Sequence, residues 1–193
     1  MSFSQLFILA LGAILVENFV LTKFLGVCPF LGVSKRMDTA IGMGFIVTFV
    51  MTASAVVIFF VNAVLLRANL EALRIAVFVL VVAAVVQLVD LILQKMASAL
   101  HASLSIYLPL ATANCAILGV VLLSTAQDLN FIATVVYAFA AGLGFLLAIT
   151  LFAGVRERLD FSDYPKAFEG VPIALITAGL LSMAFMGFAG MRF

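Results

Sequence analysis

Two short stretches of the chain repeat one pattern that could do chemistry. Cys28-Pro29-Phe30-Leu31-Gly32-Val33 and Cys115-Ala116-Ile117-Leu118-Gly119-Val120 share C-x-x-L-G-V and contain the only two cysteines. Both lie in strongly apolar sequence, so the expectation is a pair of buried thiols. Thiolates are soft ligands that suit iron–sulfur clusters, copper(I) or zinc. A [2Fe–2S] cluster usually takes four cysteines, so a cluster site using these two needs completion by a second polypeptide, either another copy or a related chain. The plainer reading is a small hydrophobe at each position, and an intramolecular disulfide is also open. Repetition beside helix-breaking glycines favours a site.

The elements that must position these sulfurs lie in a membrane. Of 193 residues, 66% are hydrophobic and only 10% charged, with a mean hydropathy of +1.35, a composition that cannot fold as a water-soluble globule of this size. A net charge of +1 gives no basic field for nucleic acid, and two cysteines make no disulfide scaffold. No G-x-G-x-x-G follows a strand pattern, so the chain carries no dinucleotide-binding signature of its own.

An α-helix needs about 20 apolar residues to cross roughly 30 Å of hydrocarbon. Six such runs are predicted, near residues 3–24, 38–62, 72–93, 102–123, 129–154 and 171–190, which makes 1–193 a single all-α transmembrane domain. Lys23, Lys35, Arg36, Lys95, Arg156, Arg158 and Lys166 fall on one side; Arg67, Arg74 and Arg192 fall on the other. Cationic loops stay cytoplasmic, so both termini are expected on the periplasmic or extracellular side. Met1-Ser2-Phe3-Ser4-Gln5 lacks the basic start of a cleaved signal peptide, which suits a retained first helix.

As one straight helix, the apolar stretch from Phe3 to Val33 would reach about 46 Å, too long for a simple span. Gly26, Pro29 and Gly32 supply a break, as Pro109 and Gly119 do around Cys115. Non-helical backbone at membrane depth requires a protein-lined interior. With three spans per half, the second half is turned over relative to the first, predicting two inverted repeats of about 1–95 and 96–193 with broken first and fourth helices. Gly42-x-Gly44 and Gly142-x-Gly144 echo each other across the halves, and close helix packing is their expected role. Without the cysteines, the same architecture would read as a secondary ion transporter or as a scaffold with no cofactor.

Other polar residues in the spans are costly in lipid and tend to face the protein interior. Glu17, beside Asn18, is a candidate contact for a moving cation, with a structural hydrogen bond as the alternative. Asn114, directly before Cys115, is placed to support a metal-bound sulfur or to stabilise the break. Lys23 is expected to snorkel or to form an ion pair, and Asp90 and Gln87 to be solvated at an interface. The lone His101 lies in a connection and is assigned no role. Arg156-Glu157-Arg158 is expected to open the longest charged loop, as a positive-inside anchor and secondarily as a docking surface for cytoplasmic proteins.

Glu17 through Leu21, Lys23 through Gly26, Cys28 through Lys35, Leu108-Pro109-Leu110, Asn114-Cys115-Ala116, Arg156-Glu157-Arg158 and Ala174 through Leu180 resemble, in order and over essentially the whole chain, the RnfA family of Rnf-complex membrane proteins. The NqrE component of the sodium-translocating NADH:quinone oxidoreductase is its nearest relative and the alternative assignment. The resemblance implies a six-helix inner-membrane component of a translocase that moves electrons between ferredoxin and NAD and couples this to Na+ or H+ transport. It implies a homologous partner of the RnfE type, of opposite topology, alongside the B, C, D and G components of such a complex. It also implies an intramembrane [2Fe–2S] cluster shared by the homologous pair, to which Cys28 and Cys115 contribute two of four ligands. No catalytic activity is expected of the chain alone.

Overall fold

The computed structural model describes residues 3–16, 18–27, 31–32, 34, 36–67, 73–96, 114–159, 161, 165 and 170–187. Glu17, Cys28, His101 and the first half of the expected fourth span lie outside them.

Backbone N–H and C=O groups in hydrocarbon find no water, so apolar sequence of this kind closes its hydrogen bonds within helices. The described elements are helical: α1 (Phe3–Leu11), continued by a five-residue π-helical turn (Gly12–Val16), α2 (Met37–Arg67), α3 (Arg74–Met96), α4 (Cys115–Ala126), α5 (Phe131–Leu159) and α6 (Val171–Met186). Among the described residues, α2, α3 and α5 are long and apolar enough to cross a membrane, while Gln5–Val16, α4 and α6 are shorter apolar helices.

Local chemistry sets several boundaries. Asp38 lies in the first turn of α2 and Arg67 in its last, each the sign that complements the helix dipole. Gly170 at a φ of 89° and a proline in the first turn start α6. Arg156 and Arg158, expected to open a loop, belong instead to the last turn of α5. Cations are favoured at a helix C-terminus, and that preference extends the helix past the end of its apolar run. The first helix ends after Val16, well before Gly26, and is followed by turns rather than by more span.

The core is the crossing of α2 and α5. Met43, Val47 and Met51 of α2 are buried with Phe145, Ile149 and Phe152 of α5. In lipid such packing is driven by van der Waals contact, which rewards small residues that bring backbones together. A Cβ on Gly142 would stand 2.7 Å from Thr48 Cα, and one on Gly44 would meet the Leu146 side chain. The expected packing role thus holds at Gly44 and Gly142. The two contacts lie one helical turn apart along an antiparallel crossing, since 44 pairs with 146 and 48 with 142. Large apolar side chains such as Phe45, Phe49, Leu80, Leu88, Phe139 and Leu180 are exposed on the outside of the bundle, as expected where the surroundings are lipid or a neighbouring polypeptide.

Candidate functional site

The site is assembled where the unwound end of the first helix meets the start of α4. Asn18 is fully buried and organises the first of these. Its Nδ2 donates to Ile14 O at 3.2 Å and to Gly144 O of α5 at 2.8 Å, and its Oδ1 accepts from Val20 N at 3.2 Å. One amide side chain thus satisfies backbone groups that the end of the helix leaves open. Gly144 allows the approach, since a Cβ there would sit 3.3 Å from Ala13 O and Ile14 Cα. Asn18→Leu keeps most of the volume but strands buried backbone groups. It is expected to cost about 3 kcal/mol, at roughly 1 kcal/mol or more for each lost or orphaned partner, measurable by denaturation in detergent.

Beyond Asn18 the chain turns sharply. Thr22 N–H donates to Asn18 O at 2.8 Å and Leu25 N–H to Phe19 O at 3.0 Å. Phe24 and Gly26 both adopt left-handed backbone, with φ of 53° and 84°. Ser182 Oγ of α6 donates to Leu21 O at 2.5 Å, pinning the turn from another side. The Lys23 ammonium stands 5.4 Å from the centre of the Phe19 ring. Farther on, Arg156 Nη1 donates to Leu31 O and to the buried Ser34 Oγ, both at 2.9 Å, so α5 holds the chain at the end of the first cysteine motif.

The turn delivers a donor to sulfur, with Gly26 N–H donating to Cys115 Sγ at 2.9 Å. A Cβ on Gly26 would lie 3.0 Å from Ala116 Cβ and 3.3 Å from Asn114 Oδ1, so the left-handed glycine also allows close contact. Gly119, one turn into α4, faces Leu25 in the same manner. Cys115 is the first residue of α4, and Asn114 caps the helix by accepting from Ala116 N–H at 3.0 Å. Asn114 is buried, and its Nδ2 has no hydrogen-bond partner among the described residues. A buried donor beside a sulfur with no partner among the described residues calls for an acceptor from outside them.

The expectation of a buried thiol is corrected at Cys115, whose side chain is exposed on the surface of the bundle. Apolar neighbours in sequence indicate membrane depth but not whether this chain or another covers the atom. Among the described residues, no three His, Cys, Asp or Glu side chains converge as a metal site. Asn18 and Asn114 are brought to the two sides of the turn, Asn18 as a backbone support and Asn114 as a cap with a spare donor. Three contributors escaped the sequence reading: the Gly26 N–H, Ser182 and the hydrogen bonds of Arg156. Only Gly26 carried a usable signal, being a glycine two residues before a cysteine.

Comparison with known proteins matches residues 6–192 to the family described as "Rnf-Nqr subunit, membrane protein". The chain is 52% identical to the A component of the Na(+)-translocating ferredoxin:NAD(+) oxidoreductase complex of Acetobacterium woodii, over 97% of this chain and 98% of that protein. It is 52% identical to the A component of the ion-translocating oxidoreductase complex of Yersinia enterocolitica and 50% identical to that of Shewanella denitrificans, again over 97% of this chain and 98% of each. With helices built for lipid, a turn that carries an N–H to a cysteine sulfur and a family match over nearly its full length, the chain belongs to the Rnf-Nqr family of membrane subunits.

Proposed function

We propose that the chain is one membrane component of an ion-translocating oxidoreductase complex that moves electrons between ferredoxin and NAD and couples them to Na+ or H+ transport. Cys28 and Cys115 would supply two of the four ligands of a [2Fe–2S] cluster shared with a homologous RnfE-type partner of opposite topology, alongside components of the B, C, D and G types. The observation that carries this reading is the surroundings of Cys115: an exposed sulfur that already accepts the Gly26 N–H, beside the orphaned donor of Asn114. The donor set fits the group, since a coordinating thiolate takes N–H bonds and its remaining metal partners must come from outside.

When bound, such a cluster supplies a one-electron relay at membrane depth. The chain's own residues hold and orient the ligand. Gly26 N–H and the N-terminus of α4 both place positive potential beside Sγ, where a metal-bound sulfur carries negative charge. Asn18, Ser182 and Gly144 fix the turn that carries Gly26. Arg156 fixes the segment after Cys28 from the end of α5.

Six spans arranged as two inverted halves, with both termini outside, are part of the same proposal. The C-x-x-L-G-V motif, present once in each half at Cys28 and at Cys115, supports it.

Co-expression tests the shared site. The purified homologous pair is expected to hold iron and acid-labile sulfide in equal amounts, with a paramagnetic signal on reduction, while the chain purified alone holds neither. Stoichiometric iron on the isolated monomer, or a pair that never binds iron, would overturn the reading.

A further inference from the structure

A second polar site lies at the opposite end of α4 from Cys115, roughly 14 Å along the helix axis at 1.5 Å per residue. There the C-terminal ends of α2 and α4 and the start of α5 border a half-open cavity of about 180 Å³. Its apolar wall includes Ala55 and Ile58; its polar lining is Asn62, Ser124, Thr125, Asp128 and Thr134.

These polar atoms share one property. Ser124 Oγ donates to Val121 O at 2.9 Å, Thr125 Oγ1 to Leu122 O at 2.9 Å and Thr134 Oγ1 to Leu129 O at 3.4 Å. Each hydroxyl hydrogen is therefore turned back onto a backbone carbonyl, leaving oxygen lone pairs for other partners. Asn62 Oδ1 is a buried acceptor with no donor among the described residues. Asp128, exposed at the cavity mouth and held at a φ of 47° just after α4, adds a carboxylate. No lysine or arginine lines the cavity among the described residues. The last turns of α2 and α4 both end here with their carbonyl poles, against a single N-terminal pole from α5.

A pocket of hard oxygen acceptors with a carboxylate, and with no cation facing it among the described residues, is complementary to a small hard cation. The volume also admits several waters, at about 30 Å³ each, so the ion can keep part of its hydration shell. We infer that this cavity binds an alkali-metal cation, with Asp128 supplying the charge and Asn62 Oδ1 and the hydroxyls of Ser124, Thr125 and Thr134 supplying neutral oxygens. The inference goes beyond the cysteine site and does not depend on it. Binding is therefore tested without electron donors, so failure here leaves the cluster reading standing, and failure there leaves this one.

The experiment is equilibrium binding of radioactive Na+ to the purified complex, paired with thermal unfolding in NaCl against choline chloride at equal ionic strength. Saturable Na+ binding and a rise in unfolding temperature that choline does not reproduce are expected. Asp128→Asn and, independently, Asn62→Leu should each weaken binding tenfold or more without lowering the unfolding temperature in choline, while Asp128→Glu retains binding. Equal Na+ binding in the wild type and both variants overturns the inference, as does an equal thermal shift in choline. Displacement by methylammonium at concentrations where Li+ and K+ fail also overturns it, pointing to an ammonium side chain of a neighbouring protein.

Discussion

Replacing Cys115 by serine is expected to abolish electron flow through the assembled complex. Serine matches cysteine in shape, so α4 should still start at the same residue under the Asn114 cap, and the chain should still co-purify with its partners. What changes is the donor atom. Sulfur is a soft, polarizable ligand and a serine hydroxyl is neither soft nor readily ionised. Loss of a mere supporting residue around a metal costs about 10–100-fold in affinity or activity, so loss of a ligand is expected to cost on the order of 100-fold or more. The measurements are iron content, the reduced-state paramagnetic signal and ferredoxin-dependent NAD reduction. Loss of all three with assembly intact is the expected result; unchanged iron and turnover would remove Cys115 from the cluster. Cys28→Ser should behave in the same way if the two motifs are equivalent.

Gly142→Ala is expected to be the most damaging single-methyl change in the bundle. The added carbon would lie 2.7 Å from Thr48 Cα and 2.9 Å from Thr48 Cβ, and backbone cannot turn away as a side-chain tip can. The two longest helices would have to separate along their crossing, and overpacking of this kind costs about 3 kcal/mol, toward the upper end of its usual range. Gly44→Ala provides the comparison. Its nearest obstacle is the far end of Leu146, which can rotate, so a cost of about 1 kcal/mol is expected. Denaturation of the two variants side by side, with assembly scored on gels, checks the difference. Equal stability would mean that the α2–α5 crossing is looser than the described contacts imply.

Much of this was legible in the sequence because lipid imposes few choices. Apolar length located α2, α3 and α5 to within a turn or so, and the repeated motif singled out Cys115 and the glycines beside it. What escaped was whatever depends on three-dimensional neighbours. Asn18 stood beside Glu17 as a candidate ion contact, and its bonds to Ile14 O and Gly144 O were not foreseen, because nothing in its local sequence reveals that Gly144 is opposite. Arg156 looked like a topological anchor, yet it also donates to Leu31 and Ser34, far away in the chain. The cavity around Asn62 and Asp128 had no local signal at all, because its oxygens come from three helices and become a set only once the hydroxyl hydrogens have been committed elsewhere.

The exposure of Cys115 bears on how a cell must make this protein. A thiol on the outer face of a bundle is open to oxidation until something covers it, and sulfinic or sulfonic acid formed there is not reversed by ordinary thiol reductants. On the proposed function, surplus chain that waits without a partner would accumulate damage at a proposed cluster ligand. Balanced synthesis of the proposed pair, and prompt pairing at the point of insertion, would then be conditions for making the complex under air.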